Sequence, residues 1–248
     1  MFRKVGTFPP HLCFAEQMHA LVATTLLGHV LRLPRPPTWV NDLSSLSACA
    51  DELLRCSTLG VDAEWTGGGA LGKHGTQLSC VSFASDRRSW VVEALPATSS
   101  DAGYDAALYD FLDQLLLQEG TPTVVAWAFA GDAEIIERRM LTTAAASAED
   151  DTSSAAGVAA STLRRRMLAS VIDVQLLAIE QGVGSRAQMP SLRRACETFL
   201  GASLAKEEQN SNWSDRPLRI EQREYAAMDA AAPLRIYRTL SELQEEGS

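Results

Sequence analysis

Lysine is almost missing from this 248-residue chain: only Lys4, Lys73 and Lys206 occur, against nineteen arginines. Arginine suits bidentate recognition of phosphate, although a GC-rich coding sequence, which also favours alanine, is the simpler account. The five cysteines (Cys13, Cys49, Cys56, Cys80, Cys196) are odd in number and contain no C-x-x-C pair, which argues against a disulfide framework and against a cysteine zinc site. Histidine is scarce and scattered (His11, His19, His29, His74) and no H-E-x-x-H occurs, so that zinc-binding motif is absent. No long apolar run exists. The best stretch, 20–33, is broken by His29 and Arg32 and is too short to span a bilayer. No membrane partner is therefore expected, and a reducing, intracellular setting is, with nucleus, cytosol and mitochondrion undistinguished. Serine is missing from residues 1–40, unlike most organelle presequences, even though Arg3, Lys4, Arg32 and Arg35 face only Glu16 there. Net positive charge is lacking as well: the formal charge is −9, which speaks against a duplex or an anionic membrane held by bulk electrostatics. What remains is 46% apolar and 21% charged residues, the balance of a soluble globular protein, with length for one large domain or two small ones.

The pattern along the chain predicts an α/β protein. Pro34-Arg35-Pro36-Pro37 marks a break after an N-terminal extension. Apolar residues at helical spacing predict a helix over 42–55, with Ser45 or Ser47 as its cap. Strands are expected at 58–65, 77–85 and 89–95, the last two joined by a turn at Asp86-Arg87-Arg88. A Gly-rich loop, 66–76, lies between the first two. A helix follows at 104–118, a buried strand at 123–129 and a helix at 133–141. Residues 142–161, all Ala, Ser, Thr, Gly, Val and acids, read as a disordered low-complexity insertion. A strand at 167–172 then runs into a helix at 173–180, followed by helices at 191–200 and 220–243. A hairpin followed by alternating strands and helices implies a mixed sheet flanked by helices.

Three sets of acids carry chemistry. Asp62 and Glu64 lie two apart in a strand and so share a face, leaving Val61, Ala63 and Trp65 for the core. Two adjacent carboxylates repel unless a cation sits between them, although a solvated strand face is the commoner reason for such a pair. Asp132 follows the strand at 123–129 at a strand-to-helix turn, where α/β sheets bind ligands but where an aspartate also caps helices. Tyr225 and Asp229 lie one turn apart on the last helix. Four convergent carboxylates exceed what one divalent cation requires. They suit two ions, one lowering the pKa of a water and one stabilising a leaving oxygen. The tyrosine hydroxyl would orient or deprotonate that water.

These residues stand in a recognisable order. The chain resembles the DEDDy branch of the 3′–5′ exonucleases, which includes RNase D and the Werner-syndrome exonuclease domain. The matching text is GVDAEW at 60–65, VVAWAFAGD at 124–132 and LAKEEQNSNWSDRPLRIEQREYAAMDA at 204–230. In the last block Lys206, Gln209, Ser211, Asn212, Trp213, Arg216, Pro217, Leu218, Tyr225, Ala226 and Asp229 all fit. The resemblance implies an RNase H-like mixed sheet of about five strands. It implies two divalent metal ions (Mg²⁺ or Mn²⁺) held by Asp62, Glu64, Asp132 and Asp229, with Tyr225 positioning the water. Lys206 and Arg216 become candidate phosphate contacts, or alternatively hold the loop before the last helix through Glu207 or Asp215. Trp213 reads more readily as a core anchor than as a platform for a base. The sequence departs from the family before Asp132, where Ala126-Trp127-Ala128-Phe129-Ala130-Gly131 replaces the usual His-Asn or Gly-rich turn.

The expectation is therefore an extension over 1–40 and one exonuclease domain over 41–248. The expected activity removes nucleoside 5′-monophosphates from single-stranded or 3′-overhanging nucleic acid, RNA favoured over DNA. The alternative is a non-catalytic exonuclease-fold scaffold or RNA-binding subunit with protein partners in a larger complex. The charge of −9 does not oppose the first reading. Four of the acids would be neutralised by ions, and Glu149, Asp150 and Asp151 fall in the insertion.

Overall fold

The computed structural model describes residues 29–67, 76–95, 102–118, 122–146 and 153–246. Its elements are β1 Thr38–Val40, α1 Leu43–Leu53, β2 Thr58–Trp65, β3 Leu78–Ala84, β4 Ser89–Glu93, α2 Tyr104–Leu116, β5 Thr123–Ala126, α3 Ala130–Ala146, α4 Ser153–Ser170, β6 Val171–Asp173, α5 Val174–Glu180, α6 Leu192–Leu200 and α7 Ile220–Glu246. The six strands form one mixed sheet in the order β1-β4-β3-β2-β5-β6. β3 runs antiparallel to both β2 and β4, while β1 on β4, β5 on β2 and β6 on β5 are parallel.

Strand alternation splits the protein into two cores. Leu59, Val61 and Ala63 of β2 join Val81, Phe83 and Val92 on the face covered by α1–α4. Cys80, Ala84, Val91 and Val125 face the opposite layer, built from α5, α6 and α7. α2 buries the stripe its spacing predicts, Leu108, Phe111, Leu112, Leu115 and Leu116, whereas of the apolar residues that predict α1 only Leu46 and Leu53 are buried, together with Cys49, and Leu43 and Leu54 are exposed. α7 crosses β2 closely enough that only glycine fits at position 60. A Cβ there would lie 1.9 Å from the Ala230 carbonyl oxygen.

Several sequence expectations change. The sheet has six strands, because Thr38–Val40, assigned to the extension, pairs in parallel with β4. Asp42, not Ser45 or Ser47, caps α1. Its carboxylate accepts the Ser45 N–H at 2.7 Å, and Ser45 Oγ accepts the Asp42 N–H at 3.2 Å. The strand expected at 123–129 ends at Ala126, and α3 begins at Ala130. The low-complexity segment is largely helical: α3 runs on to Ala146 and α4 starts at Ser153. Alanine-rich composition resembles a linker, yet alanine is the strongest helix former. α4 also absorbs Met167–Ser170, leaving only Val171–Asp173 as strand. Met167 is fully buried in the first core. Residues 1–28, 68–75 of the Gly-rich loop and 147–152 lie outside the described residues. Cys49, Cys56, Cys80 and Cys196 are free thiols. Among the described residues no helix is long and apolar enough to cross a membrane.

Candidate active site

The site lies on the face of β2 that meets α7. Asp62 and Glu64 project from it side by side. Asp62 stands opposite Ser82, and Glu64 opposite Cys80, on β3. The register shifts between Glu64 and Trp65, an irregularity of the kind that re-aims side chains beside functional sites. Because Gly60 lets α7 approach, Asp229 reaches the same spot. One carboxylate oxygen each from Asp62, Glu64 and Asp229 lies within 4.8 Å of the others. Oxygens around a single Mg²⁺, at 2.0–2.1 Å, sit at most about 4.2 Å apart, so this trio is nearly in ligand position. Asp132, buried in the first turn of α3, stands outside that tight trio but close enough for its charge to act on Asp62 and Glu64.

Electrostatics make the group unstable as four free anions. Burial first, then the charges of Asp132, Asp229 and Glu64, push the Asp62 carboxyl well above its ordinary value. Glu64 is pushed up by burial, Asp229 and Asp132. Asp132 is pushed up by burial, Asp229 and Asp173. Asp229 is pushed up to about 6 by burial, against the lowering effects of a hydrogen bond from Tyr225 and of the Lys206 charge. Asp229 Oδ1 is buried with no hydrogen-bond partner, a costly state that a bound cation relieves. The donors are all hard carboxylate oxygens, the set that Mg²⁺ and Mn²⁺ favour. The residues therefore fit the ions that the sequence suggested.

Tyr225, one turn before Asp229, places its hydroxyl beside that carboxylate, close enough to lower the Asp229 pKa. Its ring packs against Trp213, 6.2 Å between centroids. Burial and the neighbouring Asp229 raise its hydroxyl far above the ordinary phenol range, so it stays protonated at neutral pH. Trp213 is buried, as a core anchor would be. Lys206 is exposed at the rim. Arg216 points elsewhere: its guanidinium makes a bidentate pair with Glu93 on β4, at 2.5 and 2.7 Å. The loop partners suggested for it, Glu207 and the Asp215 side chain, are not those it uses.

Sequence reasoning missed two contributors. Asp173 Oδ1 accepts the backbone N–H groups of both Ala128 and Gln175 at 3.0 Å, so it caps α5 and also ties down the turn that carries Asp132. Ala128 in that turn has φ +53°, a left-handed conformation uncommon for a residue with a Cβ. An acid directly after the short apolar run Val171-Ile172 was the available signal. Gly60, the second, had one too: it faces the same way as Asp62 and lies opposite an alanine-rich helix.

Comparison with known proteins agrees with this architecture. The family model described as 3′–5′ exonuclease matches residues 37–245. The Drosophila melanogaster protein "Exonuclease mut-7 homolog" is 50% identical over 54 residues, which are 22% of this chain and 8% of that protein's length. The Aedes aegypti Nibbler EXO domain superposes with a TM-score of 0.62 at 22% identity, covering 87% of this chain and 92% of that one. Trypanosoma brucei RNase D in complex with RNA U12 gives 0.61 at 16% identity, covering 91% of this chain and 66% of the other. These two structures share the fold, and the family match spans the sheet, its flanking helices and every acid described above: this chain belongs to the 3′–5′ exonuclease family.

Proposed function

We propose that the protein is a DEDDy-type exonuclease that removes nucleoside 5′-monophosphates one at a time from the 3′ end of single-stranded or 3′-overhanging nucleic acid, with RNA preferred. The observation that carries this reading is the convergence of the Asp62, Glu64 and Asp229 carboxylates with an orphaned Asp229 oxygen. Asp62, Glu64, Asp132 and Asp229 would hold two divalent ions, Mg²⁺ or Mn²⁺, which when bound supply a lowered water pKa and positive charge for the leaving 3′ oxygen. Tyr225 then orients the attacking water. Its hydroxyl stands beside the Asp229 carboxylate, where it can hydrogen-bond the water. Lys206 places the rim's positive charge within electrostatic reach of Asp229, where a terminal phosphate would arrive. The RNA preference is supported by the fold shared with a T. brucei RNase D solved with RNA U12.

The test is 5′-labelled single-stranded RNA and DNA, side by side, with Mg²⁺, Mn²⁺ or chelator. A ladder shortening from the 3′ end, faster on RNA and abolished by chelator, is expected. Intact RNA and DNA under every divalent ion would leave the fold without the activity and favour a scaffold.

A further inference from the structure

Arg216 was a candidate phosphate contact, yet none of its nitrogens is left for one. Nε and Nη2 bond the two oxygens of Glu93 at 2.5 and 2.7 Å. Nη2 also reaches the carbonyl and the hydroxyl of Ser79, both at 3.0 Å. Nη1 bonds the carbonyls of Trp213 at 3.0 Å and Asp215 at 2.7 Å. Glu93 is 3% exposed, so this charge pair is taken out of water and needs the complete set of bonds that it has. The cluster converges on one backbone group: the Trp213 carbonyl accepts from Arg216 Nη1 and also from Ser79 Oγ at 2.7 Å. The Trp213 side chain, 4% exposed, lies against the ring of Tyr225. The same loop is fixed at its other end to α7, because the fully buried Gln222 donates to Ser211 Oγ at 2.9 Å and to the Asn212 carbonyl at 3.1 Å. Gln222 lies three residues before Tyr225, hence on the same helix face.

We infer that Arg216, clamped by Glu93 and Ser79, is a positioning residue for Tyr225 that acts through Trp213 and does not touch the substrate. The clamp spans two strands of the sheet and the loop before α7. It sets the Trp213 indole at a fixed distance behind the phenol, so that the hydroxyl meets Asp229 and the water in one orientation. A misplacement near 1 Å at such a group costs about 100-fold in rate, which is sufficient reason for a buried charge pair here. The inference rests on the role proposed for Tyr225.

The experiment is a double-mutant cycle on the full chain: wild type, Arg216→Lys, Tyr225→Phe and the pair, with kcat, KM and the salt dependence of KM measured on single-stranded RNA. Lysine keeps the charge but loses the fork. Arg216→Lys is expected to lower kcat about 10-fold or more in the wild-type background and less than about 2-fold beside Tyr225→Phe, with KM and its salt slope unchanged. Arg216→Gln, which removes the charge as well, is measured beside it: a raised KM with a salt slope smaller by about one in that variant would mark a phosphate contact and overturn the inference. An equal loss of kcat in both backgrounds would overturn it too, as general destabilisation. Trp213→Phe breaks the same link without touching the ion pair, and serves if Arg216→Lys does not fold. A second readout needs no activity. The chain has four tyrosines, and in fluorotyrosine-labelled protein the Tyr225 resonance, assigned by its loss in Tyr225→Phe, should move in Arg216→Lys while those of Tyr109 and Tyr237 stay. An unmoved Tyr225 resonance refutes the inference. An inactive wild type refutes the proposed function instead.

Discussion

Replacing Gly60 by alanine should damage the site more than any exposed substitution. The added Cβ would stand 1.9 Å from the Ala230 carbonyl oxygen, 3.0 Å from its carbon and 3.2 Å from Leu234 Cβ. Contacts below 3.0 Å essentially never occur, and the obstacle is helix backbone that cannot rotate away, so β2 and α7 must separate by more than about 1 Å. Asp62 is two residues from Gly60, and Asp229 adjoins Ala230, so the same separation pulls the ligand trio apart. Overpacking at the upper end of its range costs about 3 kcal/mol. For a chain of this size that lowers the melting temperature by roughly 6–12 °C. The displaced carboxylates should reduce kcat about 100-fold. Gly131→Ala is the matched control. It adds a methyl beside Asp132, but its nearest neighbour is Trp65 Cη2 at an ordinary 4.0 Å, and in a helix alanine is favoured over glycine by roughly 0.5–1 kcal/mol. Calorimetry and single-turnover hydrolysis of the two variants decide. Wild-type melting and rate in Gly60→Ala would refute the idea that this close approach sets the site.

Other consequences are as direct. Asp229 is held near pKa 6, against 3.8 when free. The folded metal-free protein therefore binds this proton more tightly than the unfolded chain. Stability is fully present below about pH 4 and is lost as pH rises through 6, at a cost of about 3 kcal/mol. Asp62, Glu64 and Asp132 are shifted upwards with it and act in the same direction, while Asp42 and Glu208 are shifted downwards and act oppositely. The test is therefore the difference, in chelator, between wild type and Asp229→Asn, which removes Asp229 and its push on the other three. That difference should follow this pH window and shrink when Mg²⁺ is added, and a pH-independent difference would contradict it. Tyr225→Phe should cut kcat while leaving Mn²⁺ affinity by calorimetry within about 2-fold, because the phenol acts on the water; parallel loss of both would assign it to the metal. Asp173→Ala removes the acceptor of two backbone N–H groups and should cost about 1–3 kcal/mol. Ala128→Gly, which frees a left-handed residue, should be neutral or stabilising by melting temperature.

The legible parts of the sequence were those governed by local rules. Thr58–Trp65 and the stripe of α2 follow directly from alternation and from 3.6-residue spacing. Their placement already implied that Asp62 and Glu64 share a face. What escaped depends on partners distant in sequence. β1 is three residues after two prolines and is a strand only because β4 lies beside it. Arg216 and Glu93 are 123 residues apart, so nothing near Arg216 disclosed its buried partner, and a phosphate role looked equally reasonable. Asp173 read as the first residue of a helix, since its second bond goes to Ala128 across the sheet. In α4 the error was one of principle, because low complexity was taken for lack of structure where helix propensity and the buried Met167 prevail.

The central claim is that these carboxylates and Tyr225 direct water onto the terminal phosphodiester. Digestion of single-stranded RNA in oxygen-18 water with Mg²⁺, followed by mass spectrometry of the mononucleotides, tests it most directly. The predicted product is nucleoside 5′-monophosphate carrying one oxygen-18 atom, released from the 3′ end and lost in Asp62→Ala. Cyclic phosphates, nucleoside 3′-phosphates or release unaffected by Asp62→Ala would contradict it.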